Sequence, residues 1–299
     1  MSKKRKKRIR VKWNNVFKFF RVIFILVFIG YIGFKFFTWY GNYRRVNSTM
    51  DEIKDATTIS NLVDDSNTTV IEPHEDISKF APYWNYINLS LIGVNLEEVR
   101  KVNPDTVGWI QIKGTEIDYP VVRGADNGYY TKHSFDNKTN NFGAIYLNSQ
   151  TDLSDVPANT IILGNKTFMN TLFGKIDIIN KPSWKQNDTN HIIKFATDNY
   201  TALYQVFSVY KQKGISNFNI APDENYLTEI TNKSNYDFKT TVDLNDKIIT
   251  VSTNSKRTNL VIHAKLIKIK KNFIEENKNE ETIDTMETTE EETETIISE

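Results

Sequence analysis

Residues 247–268, KIITVSTNSKRTNLVIHAKLIK, admit few folds. Ile248, Ile249 and Val251 on one side and Leu260, Val261, Ile262 and Leu266 on the other have strand composition, and Asn254, Ser255, Lys256 and Arg257 between them have turn composition. That order predicts an antiparallel hairpin. Six more strand-like runs precede the pair, at 107–112, 117–122, 143–147, 160–163, 191–195 and 202–210, with polar turns between them. Many short strands of this kind predict a mainly β sandwich or barrel.

Helical signals surround the strands. Phe80, Trp84, Ile87, Leu91 and Val94 recur three or four apart, as one helical face requires, until Asn103 and Pro104 end the pattern. Shorter helices are predicted at 168–179 and 222–230. No internal repeat of fixed period is present.

The charge is distributed unevenly. Eight basic residues lie within the first twelve, eleven acidic residues against Lys278 alone lie within 272–299, and the whole chain carries a formal net charge of +1. With Lys18, Arg21 and Lys35 counted to the N-terminal side, residues 41–271 balance to zero. A neutral body is a poor nucleic-acid partner, since phosphate binding needs a concentrated basic face.

Residues 22–34, VIFILVFIGYIGF, are uncharged, and Phe19, Phe20, Phe36, Phe37, Trp39 and Tyr40 lengthen the apolar run. Arg21 and Lys35 lie near enough to its ends to snorkel. A cleaved signal peptide would need a small-residue site after Phe34, and none follows. The expectation is an uncleaved span of about 20 residues, with the basic N-terminus inside and the remainder outside. This divides the chain into a basic tail (1–15), an anchor (16–40), a polar linker (41–76) with a short helix near 50–56, a folded domain (77–271) and an acidic, Thr-rich tail (272–299).

There is no cysteine, which removes disulfides, thiolate metal sites and thiol nucleophiles together. No two of the four histidines, His74, His133, His191 and His263, have metal-ligand spacing. No cofactor is expected.

Several short words then acquire meaning in order: NPDTVGWI at 103–110, IDYPVV at 117–122, YYTKHSFD at 129–136, FSVY at 207–210, and Ser252, Thr253, Asn254 followed by the NLVIHAKL of 259–266. Together they resemble the class B sortases, membrane-anchored cysteine transpeptidases that join surface proteins to the cell wall. The resemblance runs from about Phe80 to Lys271. It implies an eight-stranded sortase-type β-barrel with flanking helices, preceded by one transmembrane helix, in a cell-surface protein of the Gram-positive wall.

The resemblance also implies a Cys nucleophile, a His proton donor and an Arg for the oxyanion. At the matching positions stand Asn254, Asn165, which follows Gly164, and Asn259. A carboxamide is not a useful nucleophile, does not shuttle protons near neutrality and carries no charge. Losing even one oxyanion donor costs on the order of a hundredfold in rate.

Substitutes are few. Arg257 lies two residues before the arginine position, about 6–7 Å along the strand, and reaches the site only if the loop bends. Ser252, Thr253 and Ser255 offer hydroxyls, which need an adjacent base more than a thiol does. As ordinary turn residues, the three asparagines need no functional role. Ser252 and Thr253, with Tyr226 and Leu227 on the helix that forms a groove wall in the family, remain as a peptide groove, although simple helix-to-barrel packing also accounts for the last two.

The expected function is therefore non-catalytic, a pseudoenzyme that binds a sorting-signal-like peptide or a partner protein at the membrane. A transpeptidase with a non-cysteine nucleophile and a structural component of wall assembly are the alternatives.

Overall fold

The computed structural model describes residues 12–73, 81–167, 171–214 and 218–272. The basic residues before Lys12, His74, Phe80, the start of the helix predicted at 168–179 and the acidic tail from 273 lie outside them.

The described chain opens on α1 (Trp13–Ala56), a helix of 44 residues, about 66 Å at 1.5 Å per residue. Its apolar N-terminal part is exposed. Among the described residues α1 is the one helix long and apolar enough to cross a membrane. A hydrocarbon core takes about 20 residues, so the helix continues well beyond one. Its last turns become amphipathic. Val46, Met50 and Ile53, four and three apart, are buried in the main core. Arg45 Nε lies 3.4 Å from the Asp136 carboxylate, and Lys54 Nζ sits 4.1 Å from the centre of the Tyr119 ring, a cation–π contact.

This corrects the expectation of a linker over 41–76. Residues 41–56 continue the helix, β1 (Ile59–Leu62) pairs with residues 91–94, and β2 (Thr68–Val70) pairs with the end of the last strand. Short polar strands carry no period of their own. The ladder bonds of partner strands distant in sequence hold them in place.

The single helix expected through Leu91 and Val94 is also corrected. The chain forms α2 (Ala81–Ile87), then β3 (Leu91–Val94), then α3 (Leu96–Arg100). Spacings of three and four fit a helix, yet β3 runs antiparallel to β1 with Gly93 opposite Ser60. Asn95 then caps α3, its Oδ1 accepting from the Glu97 N–H at 3.2 Å.

The barrel strands follow: β4 (Thr106–Ile112), β5 (Asp118–Val122), β6 (Ile145–Leu147), β7 (Asn159–Asn165), β8 (Ile192–Ala196), β9 (Tyr200–Lys213), β10 (Ile248–Asn254) and β11 (Thr258–Lys271). All eight predicted strands are present. They run β10-β7-β6-β5-β4-β8-β9-β11, and the β10–β11 hairpin closes the circuit. Closure leaves the barrel strands no long free edge. The helix expected at 168–179 is instead a 3-10 turn at Ile176–Asn180 leading into α4 (Pro182–Lys185), whereas α5 (Glu224–Asn232) matches the helix predicted at 222–230.

The hairpin shows why its sequence is so uniformly apolar. Ile249, Val251, Leu260, Ile262 and Ala264 enter the main core, while Ile248 and Val261 join Phe207, Tyr210, Leu227 and Ile230 in a second cluster involving α5. Alternate side chains point to opposite faces, and here both faces are covered.

Candidate functional site

Two strands far apart in sequence build the site. β10 runs parallel to β7, and the register places Ser252 beside Leu163, Thr253 beside Gly164 and Asn254 beside Asn165. Asn254 and Asn165, two of the asparagines singled out in the sequence, are thus neighbours on adjacent strands. Asn259, at the start of β11, joins them through Thr253, whose Oγ donates to Asn259 Oδ1 at 3.2 Å.

Each asparagine is held by its neighbours. Asn165 Nδ2 donates to the carbonyls of Thr131 and Asn141, at 2.7 and 3.3 Å. Asn254 Nδ2 donates to the Tyr146 hydroxyl at 3.0 Å. Asn259 Nδ2 donates to the carbonyls of Gly214 and Ser255, at 2.6 and 2.9 Å. The three side chains tie the 129–143 segment, β6 and the hairpin loop to the rim of the barrel. Two glycines allow close packing here, Gly143 against the Asn165 tie and Gly164 against Phe173. A Cβ on Gly143, at φ +68°, would meet the Tyr130 carbonyl at 2.6 Å and Asn165 Nδ2 at 2.8 Å, and one on Gly164 would meet the Phe173 ring at 2.6 Å.

Beside them lies a cavity of about 550 Å³. Ser252, Thr253, Asn254 and Asn259 form one wall, Asn127, Gly128 and Thr131 another, and Tyr146, Asn148, Gln150, Leu163 and Phe218 complete it. Among these lining residues none carries a charge or an imidazole. The Tyr146 phenol is the one titratable side chain, raised above its ordinary value by burial, with the Asn254 hydrogen bond acting the other way.

The sequence-predicted groove residues divide. Ser252 and Thr253 line the cavity, but their hydroxyls are engaged, Ser252 Oγ with the Thr253 carbonyl at 3.1 Å and Thr253 Oγ1 accepting the Leu260 N–H at 2.9 Å. Tyr226 and Leu227 face the α5 cluster instead, and Arg257 is exposed in the hairpin loop. Asn127, Asn148, Gln150 and Phe218 were not legible as site residues. The signal for Thr131 and Tyr146 lay in YYTKHSFD and in the run at 143–147, words that marked strand order rather than a cavity wall.

None of the three described histidines lines the cavity. His263 is fully buried among Phe207, Tyr210, Phe218 and Tyr226. Thr250 Oγ1 donates to Asn159 Oδ1 at 2.8 Å, so at 2.9 Å it accepts from His263 Nδ1–H, and Nε2 accepts from the Tyr210 hydroxyl at 3.1 Å. Burial, with Lys233 adding to it, pushes His263 down to about 3. His191 bonds the Lys185 carbonyl at 2.8 Å and is also lowered by burial. His133 bonds the Tyr129 carbonyl at 2.9 Å and stacks on that ring.

A closed eight-stranded barrel with a polar cavity at the ends of β7 and β10 is the sortase architecture. Sortase B of Bacillus anthracis, solved in complex with AAEK1, superposes with a TM-score of 0.59 over 77% of this chain and 99% of that one, at 24% identity. The Staphylococcus aureus sortase B–substrate complex superposes with a TM-score of 0.52 at 30% identity, over 58% of this chain and 84% of that one. In sequence, Sortase B of Staphylococcus aureus is 32% identical over 186 residues, which cover 58% of this chain and 75% of that protein. Sortase B of Listeria monocytogenes is 28% identical over 188 residues, covering 58% of this chain and 74% of that protein. No protein-family model matches the chain. The chain belongs to the sortase B family.

Proposed function

We propose that this chain is a pseudo-sortase, held by α1 in the membrane with its barrel outside, that binds a sorting-signal-like peptide or a partner protein without cutting it. The observation that carries this reading is the use of Asn165, Asn254 and Asn259. All three positions matching the family's catalytic groups hold carboxamides fixed as structural ties, while a cavity of about 550 Å³ persists beside them. Acyl transfer needs a nucleophile, a proton donor and oxyanion stabilisation. The lining offers hydroxyls with no imidazole or carboxylate beside them. It also offers carboxamides and hydroxyls suited to the backbone of an uncharged, extended peptide, with Tyr146 and Phe218 as apolar contacts.

The test is titration of the full chain with labelled sorting-signal peptides, followed by intact mass on the same samples. Saturable binding that is weakened by Gln150→Ala, with no change in peptide or protein mass, is expected. Peptide cleavage, or an acyl adduct on Ser252, Thr253 or Ser255, would show a working enzyme with a different nucleophile. Neither binding nor turnover would point to a structural wall component.

A further inference from the structure

We propose that the barrel rests directly on the bilayer through residues 132–142, with Phe142 at headgroup depth and the Lys132 and Lys138 ammonium groups against lipid phosphates. This goes beyond the peptide-binding reading and rests only on α1 being the membrane span. Along α1 the first ring contact with the barrel is at Trp39, whose ring centre lies 6.4 Å from that of Phe142, and the next is at Tyr43, 6.2 Å from the same ring. Trp39 and Tyr40 also end the apolar run. Rings of this kind settle at the membrane–water boundary.

The lowest ring contact between barrel and helix and the end of the membrane-compatible segment therefore fall on one turn. Counting back about 20 residues from Tyr40, the length a hydrocarbon core requires, reaches Phe20 and Arg21, so a cation falls at the opposite boundary. No spacer separates bilayer from barrel.

The composition of the contacting loop agrees. Lys132, Asn137, Lys138, Thr139 and Asn141 are exposed, and Asp136 is the one carboxylate between 132 and 142. Asp136 is already engaged, 3.4 Å from Arg45 and 3.2 Å from Lys138. Lys132 has no carboxylate within ion-pairing distance among the described residues. Two ammonium groups among exposed residues that are otherwise small amides and a hydroxyl suit an anionic lipid surface.

The absence of cysteine makes the test clean. Three single-cysteine variants of the full chain, Ile29→Cys, Asn141→Cys and Asp55→Cys, are spin-labelled and reconstituted in vesicles of phosphatidylethanolamine and phosphatidylglycerol. Collision with lipid-soluble oxygen is compared with collision with a water-soluble nickel chelate. Asp55 lies about 24 Å beyond Trp39 along the helix and serves as the aqueous reference. The label at 141 is expected to show an oxygen-to-nickel ratio several-fold above that at 55 and below that at 29. A ratio at 141 equal to that at 55, with 29 in lipid, overturns the seating and leaves the anchor intact. An aqueous signal at 29 overturns the anchor, and the seating with it.

Discussion

Asn254 shows how a single residue sets the chemistry of this rim. Its carboxamide bonds Tyr146, and neither a base nor a cation lines the cavity around it. A thiol placed there should not be activated. In Asn254→Cys, iodoacetamide alkylation should follow a thiol titrating at or above about 8.5, the ordinary value for a free cysteine. A midpoint below about 7 would reveal an activating group that the lining does not supply. Asn259 makes three hydrogen bonds that pin the hairpin loop. Asn259→Ala should destabilise the chain by about 1–3 kcal/mol, the cost of orphaning buried partners, read from the shift in urea midpoint.

His263 gives a pH dependence whose sign is fixed by burial. Its folded value of about 3 lies below the ordinary histidine value of 6.5, so between those limits the unfolded chain binds the extra proton. Stability is therefore complete above about 6.5 and declines as pH falls, by up to about 1.4 kcal/mol per unit. His191, lowered in the same direction, adds to the slope. Replacing His263 with Gln should flatten the urea midpoint between pH 6.5 and 4. An unchanged slope would assign the effect to other groups.

Among the elements, β11 binds the most of the fold together. It pairs with β9 along its length, with β10 from Val261 to Lys265 and with β2 from Lys268 to Lys270. Lys268 is buried, with its Nζ 2.6 Å from Asp64 and 2.8 and 3.1 Å from the carbonyls of Ile87 and Leu89. One ammonium thus ties the β1–β2 turn and the end of α2 to the barrel. Lys268→Ala should cost about 1–3 kcal/mol and loosen those segments first, because it leaves the part-buried carbonyls of Ile87 and Leu89 without this donor. Hydrogen exchange should show faster exchange near Leu89 and β2 than in β4 or β8.

At the scale of the whole molecule, α1 and the barrel share one core. Ile53 is buried at the end of a helix whose apolar beginning is largely exposed. Ile53→Ala should therefore lower the barrel's unfolding free energy by about 2–4 kcal/mol, as for other large-to-small changes in a packed core, whereas Ile29→Ala, on the exposed segment, should leave it unchanged. Equal and negligible effects in a urea titration would mean that the helix end contributes nothing to the folded unit.

What was legible in the sequence was local. The eight strands of the barrel, α5 and the long apolar helix follow from composition and period over short windows, and the ordered words from 103 to 266 carried the family. Pairings between distant segments were not legible. No pattern in 159–165 announces that it lies parallel to 248–254, so the neighbourhood of Asn165 and Asn254 is a product of barrel closure. The polar strands at 59–62 and 68–70 look like linker because ladder bonds, which are not written in side chains, hold them. The cavity wall from Asn127, Asn148, Gln150 and Phe218 arises the same way, from loops brought together by strands. The sequence by itself determined that this chain has no thiol and that Asn165, Asn254 and Asn259 carry no charge. Only the tertiary structure decided what the three asparagines do instead, because the Thr131 carbonyl, the Tyr146 hydroxyl and the Gly214 carbonyl that they bond come within reach only once distant strands have paired into the barrel.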